Sequence, residues 1–382
     1  MNSRERVLCA LDHIEPDRIP RDFDSCGVTG IHVNALNRYL DKYYGGRREL
    51  NVWHIKEQLA EIPEDVRNDW KIDTRRILAS APSGWKAKVT NDDGYKHFTD
   101  EWGIRWSMPL NKGLYYDMTY HPLSEVETVE ELKKYKWPNP DDPARFSDLL
   151  KLDLSSSRYN SYALVASSFM SGMFETALWV RGFEKFFEDL VMNPEYAEFI
   201  LDKMLELEIA FWEKMLGIVG NEVQVILYSD DVAVQKGMMI SPRMYKKYLF
   251  PRRKKLYSAI KEISDVRILY HSCGAVRNLI PLFIEEGIDI LNPLQISASD
   301  MDIAEIKRQF GKDISFCGGG VDTQGVFPHG TPQQVADQVR RQIDILAPGG
   351  GFVFNTVHCI QPDVPPENVK AMFDVLDEFG VY

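Results

Sequence analysis

The chain has 382 residues, a formal net charge of -12 and a pI near 5.3. That balance argues against a nucleic-acid or anionic-membrane partner, and no apolar run is long enough to read as a membrane span. Five cysteines (Cys9, Cys26, Cys273, Cys317, Cys359) are an odd number in a long chain. They do not read as a disulfide framework and fit a reducing cytoplasm.

The first residues, Met1-Asn2-Ser3-Arg4-Glu5-Arg6, are charged and are not expected to form a signal peptide. Glu15-Pro16-Asp17-Arg18-Ile19-Pro20-Arg21-Asp22-Phe23 looks like a turn entering a first strand. Residues Lys86–Met108 alternate polar and apolar around Asn91-Asp92-Asp93-Gly94, which predicts a β-hairpin inserted over one face. Trp85, Trp102 and Trp106 fall in or beside it. An ordinary local core is the plain reading of them, and an aromatic-substrate wall the alternative.

From residue 161 the pattern becomes regular. Short apolar runs are expected to be strands: Ser161–Ala166, Val223–Tyr228, Arg267–Tyr270, Ile288–Leu291, Ile314–Phe316 and Gly351–Phe354. Helix-like stretches lie between them: Tyr196–Leu216, Ser241–Ile263, Val276–Glu286, Ala304–Phe310 and Pro332–Leu346. Ser241-Pro242 and Thr331-Pro332 are helix starts of the cap-and-proline kind. Alternating strands and helices imply a parallel sheet with right-handed crossovers. Six such units after residue 161 leave two for residues 1–160, so the fold expected is a TIM (β/α)₈ barrel with an N-terminal extension and a β-hairpin insertion. One domain covers 1–382 in this reading. A doubly wound sheet is the alternative, but no G-x-G-x-x-G turn is present.

Barrel active sites form where strands end. Past the predicted strands stand Ser167-Ser168, then Asp230 and Asp231, then His271 and Cys273, then Asn292 and Gln295, then Cys317, and last His358 and Cys359. His271 and Cys273 are two apart and share a face if the strand continues, giving half of a zinc site. His358, Cys359 and Cys317 are the candidate third ligands. Asp230 and Asp231 face opposite ways, so one is expected in the barrel mouth as a catalytic or orienting carboxylate and the other in a cap. The runs Gly318–Gly320 and Gly349–Gly351 suit either phosphate loops or tight turns.

Several motifs together resemble the uroporphyrinogen decarboxylase superfamily. They are Ser3-Arg4-Glu5-Arg6-Val7 with Glu15-Pro16-Asp17-Arg18-Ile19-Pro20, then His271-Ser272-Cys273-Gly274, Gly318-Gly319-Gly320-Val321-Asp322-Thr323-Gln324 and Gln361-Pro362-Asp363-Val364-Pro365-Pro366-Glu367-Asn368. The resemblance covers essentially the whole chain and implies a TIM barrel. Decarboxylases of the superfamily carry an N-terminal arginine-rich motif, where this chain has Asp22-Phe23-Asp24-Ser25-Cys26-Gly27. The other branch is similar to corrinoid-dependent methyltransferases, including the methyltransferase I components of anaerobic O-demethylases. It implies zinc bound through His-x-Cys and a distant third ligand. Aligned on Pro365, Glu367 and Asn368, that third position falls on His358, with Cys359 one residue later. The function expected is zinc-dependent transfer of a methyl group from a small donor, a methoxylated aromatic, to the corrinoid (cobalamin) of a partner protein. The alternatives are a metal-free decarboxylase and a catalytically silent tetrapyrrole or corrinoid binder.

Overall fold

The computed structural model describes residues 1–382. Seven parallel strands form one curved sheet, in the order Phe352–Val353, Ser315–Cys317, Ile290–Asn292, Arg267–His271, Val225–Ser229, Ala163–Ser167, Thr74–Leu78. The eighth stave is the Pro-rich turn segment. Phe354 N donates to Pro20 O (2.8 Å), Asp22 N to Phe354 O (2.9 Å) and Asp73 N to Arg21 O (2.9 Å). These bonds bridge the two edge strands and close the barrel. Pro20 has no N–H, so the stave forms only an isolated parallel bridge at Arg21.

Asp73 locks this closure. Its carboxylate is fully buried and accepts from Arg6 (2.7 Å), Arg18 (2.7 and 2.8 Å) and the Arg21 backbone N–H (2.9 Å). The Arg-rich start of the chain and the Pro-Asp-Arg turn therefore have a mechanical role, tying the first helix, Ser3–Leu11, to the barrel.

Strand parity sorts the side chains. Ala163, Val165, Val225, Leu227, Leu269, Ile290, Cys317 and Val353 fill the barrel interior as one cluster. Val7 and Leu11 of the first helix complete the same cluster. Continuing that inward face along two strands leads to Ser229 and His271 at the far end, the carboxyl end.

The predicted helices differ from the observed ones where proline intervenes. Ser241–Ile263 is two helices, Pro242–Tyr248 and Phe250–Ile263, because Pro251 cannot donate the next backbone bond. Val276–Glu286 likewise begins as a 3₁₀ turn, Arg277–Leu279, and becomes α-helical at Ile280–Glu286. The expected hairpin is half of a four-stranded antiparallel sheet, Thr90–Asp92, Tyr95–Thr99, Arg105–Pro109 and Asp117–Tyr120. Asp93 and Gly94 turn its first pair with φ of 45° and 82°, the conformation of a type I′ turn. Gly349, Gly350 and Gly351 all take positive φ in the turn before Phe352–Val353, at the end opposite the cavity described below. Turn geometry accounts for that run. No helix is long and apolar enough to cross a membrane.

Replacing Asp73 by Ala strands two arginines without their buried partner. We predict a loss of about 3–5 kcal/mol in urea unfolding. A loss below about 1 kcal/mol would show that the closure does not depend on this carboxylate.

Candidate metal centre and its cavity

The strand Arg267–His271 ends at His271, and the chain turns immediately. Gly274 makes the turn possible: its φ is 95°, and a Cβ there would lie 2.7 Å from the Ala233 carbonyl carbon and the Val234 oxygen. Its N–H donates to Gln295 Oε1 (2.6 Å). The turn brings Cys273 back over the strand end, with Sγ 3.5 Å from His271 Nε2. His358 arrives from the loop after the last strand. Its ring centroid lies 5.5 Å from that of His271, at 73°. One ligand atom from each of His271, Cys273 and His358 lies within 4.8 Å of the others.

The other two sequence candidates for the third position lie outside this group. Cys359 is buried and its Sγ donates to the Gly27 carbonyl (3.2 Å). Cys317 points into the barrel interior among Val353, Ile290 and Cys26. Its backbone still matters. Asn292 Nδ2 donates to the Cys317 carbonyl (2.9 Å), which leaves Asn292 Oδ1 to accept from His271 Nδ1–H (2.6 Å). That arrangement presents His271 Nε2 as a bare lone pair.

The adjacent aspartates separate. Asp231 Oδ1 accepts from the Cys273 backbone N–H (2.7 Å) and lies 3.8 Å from His271 Nε2. Asp230 faces away and does not line the cavity. It is fully buried, pairs with Arg253 (2.6 Å), and accepts from Phe174 N (3.3 Å) and Glu175 N (2.7 Å) at the start of the helix Met173–Arg181. The catalytic expectation for Asp230 is replaced by a helix-capping and ion-pairing role.

Burial sets the protonation. It pushes the His271 imidazole down to about 4, and burial together with His271 does the same to His358. Both rings are therefore neutral near neutral pH, as metal ligands must be. Burial and then the nearby Asp231 push the Cys273 thiol well above its usual range. Asp231 is raised by burial to about 6. Two imidazoles and a sulfur suit zinc by softness and by number, three protein donors leaving one position open. The donors fit such an ion.

Above these residues lies a cavity of about 660 Å³. Trp53, Trp85, Trp102, Trp106 and Trp179 wall it, while Asp231, His271 and His358 sit within it. Trp102 and Trp106 are nearly buried, so they act as core and as pocket wall together. Asp100 fixes them: it accepts from the Trp106 indole (2.8 Å) and from Trp102 N and Ile104 N (3.0 Å each). Sequence reasoning did not single out Trp53, His54, Lys56, Glu57 or Glu175. Trp53 and His54 lie in a three-residue strand, Val52–His54, and Lys56 and Glu57 in the turn before Leu59–Ala60, elements too short for a periodicity to mark them. Glu175 is an ordinary first-turn acid by pattern.

A profile of the uroporphyrinogen decarboxylase (URO-D) family matches residues 114–379. The chain belongs to this family. Methylcobamide:CoM methyltransferase MtbA of Methanosarcina mazei is 27% identical over 261 residues, covering 66% of this chain and 69% of that protein. A uroporphyrinogen decarboxylase of Pseudoalteromonas translucida is 21% identical over 284 residues, covering 71% and 75%. Among solved structures, a methyltransferase from Methanosarcina mazei superposes with a TM-score of 0.64 over 99% of both chains, at 18% identity. That likeness establishes the barrel fold.

Asn292→Ala removes the group that orients His271. We predict zinc affinity about 10–100-fold weaker by competition with a chromophoric chelator. Cys317→Ser and Cys359→Ser should bind as the wild type does. Unchanged affinity in Asn292→Ala, or lost binding in either serine variant, would contradict the assignment.

Proposed function

We propose that this protein is a zinc-dependent methyltransferase that passes a methyl group from a small methylated donor to the corrinoid of a partner protein. The observation that carries the reading is the convergence of His271, Cys273 and His358, the two histidines of which line an indole-walled cavity. Methyl transfer named for the MtbA proteins supports it, as does the methylated-thiol–coenzyme M methyltransferase of Methanosarcina mazei, 27% identical over 206 residues.

Zinc held by these three residues would supply a Lewis acid for the heteroatom that carries the methyl. The residues of the chain do the remaining work. Asn292 keeps His271 Nε2 facing the floor, and Asp231 fixes the turn that carries Cys273. The indole walls are suited to stacking a flat ring and excluding water from it, which supports a methoxylated aromatic donor. Asp231, 3.8 Å from His271 Nε2, is placed to orient either a ligand or the donor. The cavity opens at the carboxyl end of the barrel, the face on which a corrinoid protein would dock.

Decarboxylation is the second reading, favoured only by family membership. Its tetrapyrrole substrate carries many carboxylates and calls for a cluster of arginines. This cavity is lined by no arginine and by a single lysine, Lys56. Where the decarboxylases carry arginines, Asp22 and Asp24 are buried in bonds to Thr74 and to Arg67 and Arg76.

The test is methyl transfer from a methoxylated aromatic to free cob(I)alamin, followed by the visible spectrum of the corrin. We expect turnover in the zinc-loaded protein and rates at least about a hundredfold lower in His271→Ala and Cys273→Ala, with zinc lost in parallel. Retained zinc and retained turnover in both variants would end the proposal. Release of CO₂ from a porphyrinogen, insensitive to chelators, would favour the second reading.

A further inference from the structure

Six carboxylates line the cavity, Glu57, Asp100, Glu101, Asp117, Glu175 and Asp231, against one amine, Lys56. Two of the six are already matched within the protein. Glu101 pairs with Arg145, and Asp100 lies 3.9 Å from Lys56 Nζ. Glu57, Asp117 and Glu175 form no ion pair, and Asp231 lies 3.8 Å from His271 Nε2 with no lysine or arginine paired to it. The acids without a cationic partner therefore outnumber the single amine of the cavity, and a substrate carboxylate finds no free cation in the lining.

Lys56 shows what the aromatic wall accepts. Its Nζ lies 4.0 Å from the centre of the Trp106 ring and 4.7 Å from that of Trp179. An ammonium over two indole faces is held by their quadrupoles. With Asp100 beside it, the charge of Lys56 is met, and it is not free to take a substrate carboxylate.

Resting on the methyl-transfer reading, we propose that the donor selected by this cavity is a cation, an aromatic ring bearing an ammonium group, and not an aromatic carboxylate. The ring lies among the indoles, and the ammonium is drawn by the unpaired acids of the lining, Glu57 and Glu175 among them. Burial pushes both glutamates above the usual carboxylate range, which an incoming cation reverses by favouring their charged forms.

The test uses three ligands of one shape and different charge: phenethylamine, 2-phenylethanol and phenylacetate. None carries a methyl group to transfer. Each is titrated into the zinc-loaded full chain, with tryptophan fluorescence and calorimetry as readouts. Phenethylamine should bind at least about tenfold tighter than phenylethanol, with phenylacetate weakest. In Glu57→Gln/Glu175→Gln the preference should shrink to within about twofold, with phenylethanol unaffected, which also shows that the variant is folded. Phenylacetate binding tightest, three equal affinities, or no binding at all would each overturn the proposal. Absence of methyl transfer with this ranking intact would count against the methyl-transfer reading alone.

Discussion

Asn292 spans two neighbouring strands of the barrel, its amide nitrogen on the Cys317 carbonyl and its amide oxygen on His271 Nδ1. The candidate centre depends on that bridge. An imidazole at a strand end can rotate, and either nitrogen can carry its proton. Once Asn292 has used its donor on a backbone carbonyl, only its acceptor remains for the ring, so His271 must present Nε2 to the cavity. The Gly274 turn then sets Cys273 at 3.5 Å from that nitrogen, and Asp231 holds the turn by its backbone. His358 adds the third donor from a loop whose own strand is two residues long. Four separate chain segments thus meet at one point because the parallel sheet ends them all at the same face.

The surroundings of that point are as informative as its ligands. A polyanionic substrate would meet carboxylates on most sides, with the one amine already over two indoles. Desolvation makes this costly, because charges of one sign in a water-poor cavity repel strongly. The inserted sheet supplies the Trp102 and Trp106 wall, and Asp100 pins both residues. The barrel strands and the loops after them place His271, Cys273 and His358, whereas the insertion and the segment Trp53–Glu57 shape what can lie above them. Differences in substrate among barrels of this kind are carried by such segments.

The regular half of the chain was legible because alternating apolar runs and amphipathic stretches constrain a parallel sheet strongly. The six strand positions after residue 161 are each within a few residues of those observed. The first stave was visible only as a proline-rich turn, since Pro20 lacks the donor that would mark a strand. The helix expected over Ser241–Ile263 concealed a break at Pro251 because both pieces keep their apolar face. His271, Cys273, His358 and Asp231 could be named from strand ends and spacing. The choice among His358, Cys359 and Cys317 could not, as it depends on which way a loop turns after a two-residue strand. Glu57, Glu175 and Lys56 lay beyond reach for a related reason: their roles come from a cavity assembled by tertiary contacts, which leave no period in the sequence.

The central claim is a nitrogen–nitrogen–sulfur metal centre, and X-ray absorption at the zinc edge of the purified protein tests it most directly. The account predicts one sulfur at about 2.3 Å and two imidazole nitrogens at about 2.0–2.1 Å, with a light atom in the remaining position. A protein that binds no zinc, or a shell with two sulfurs or none, would contradict it.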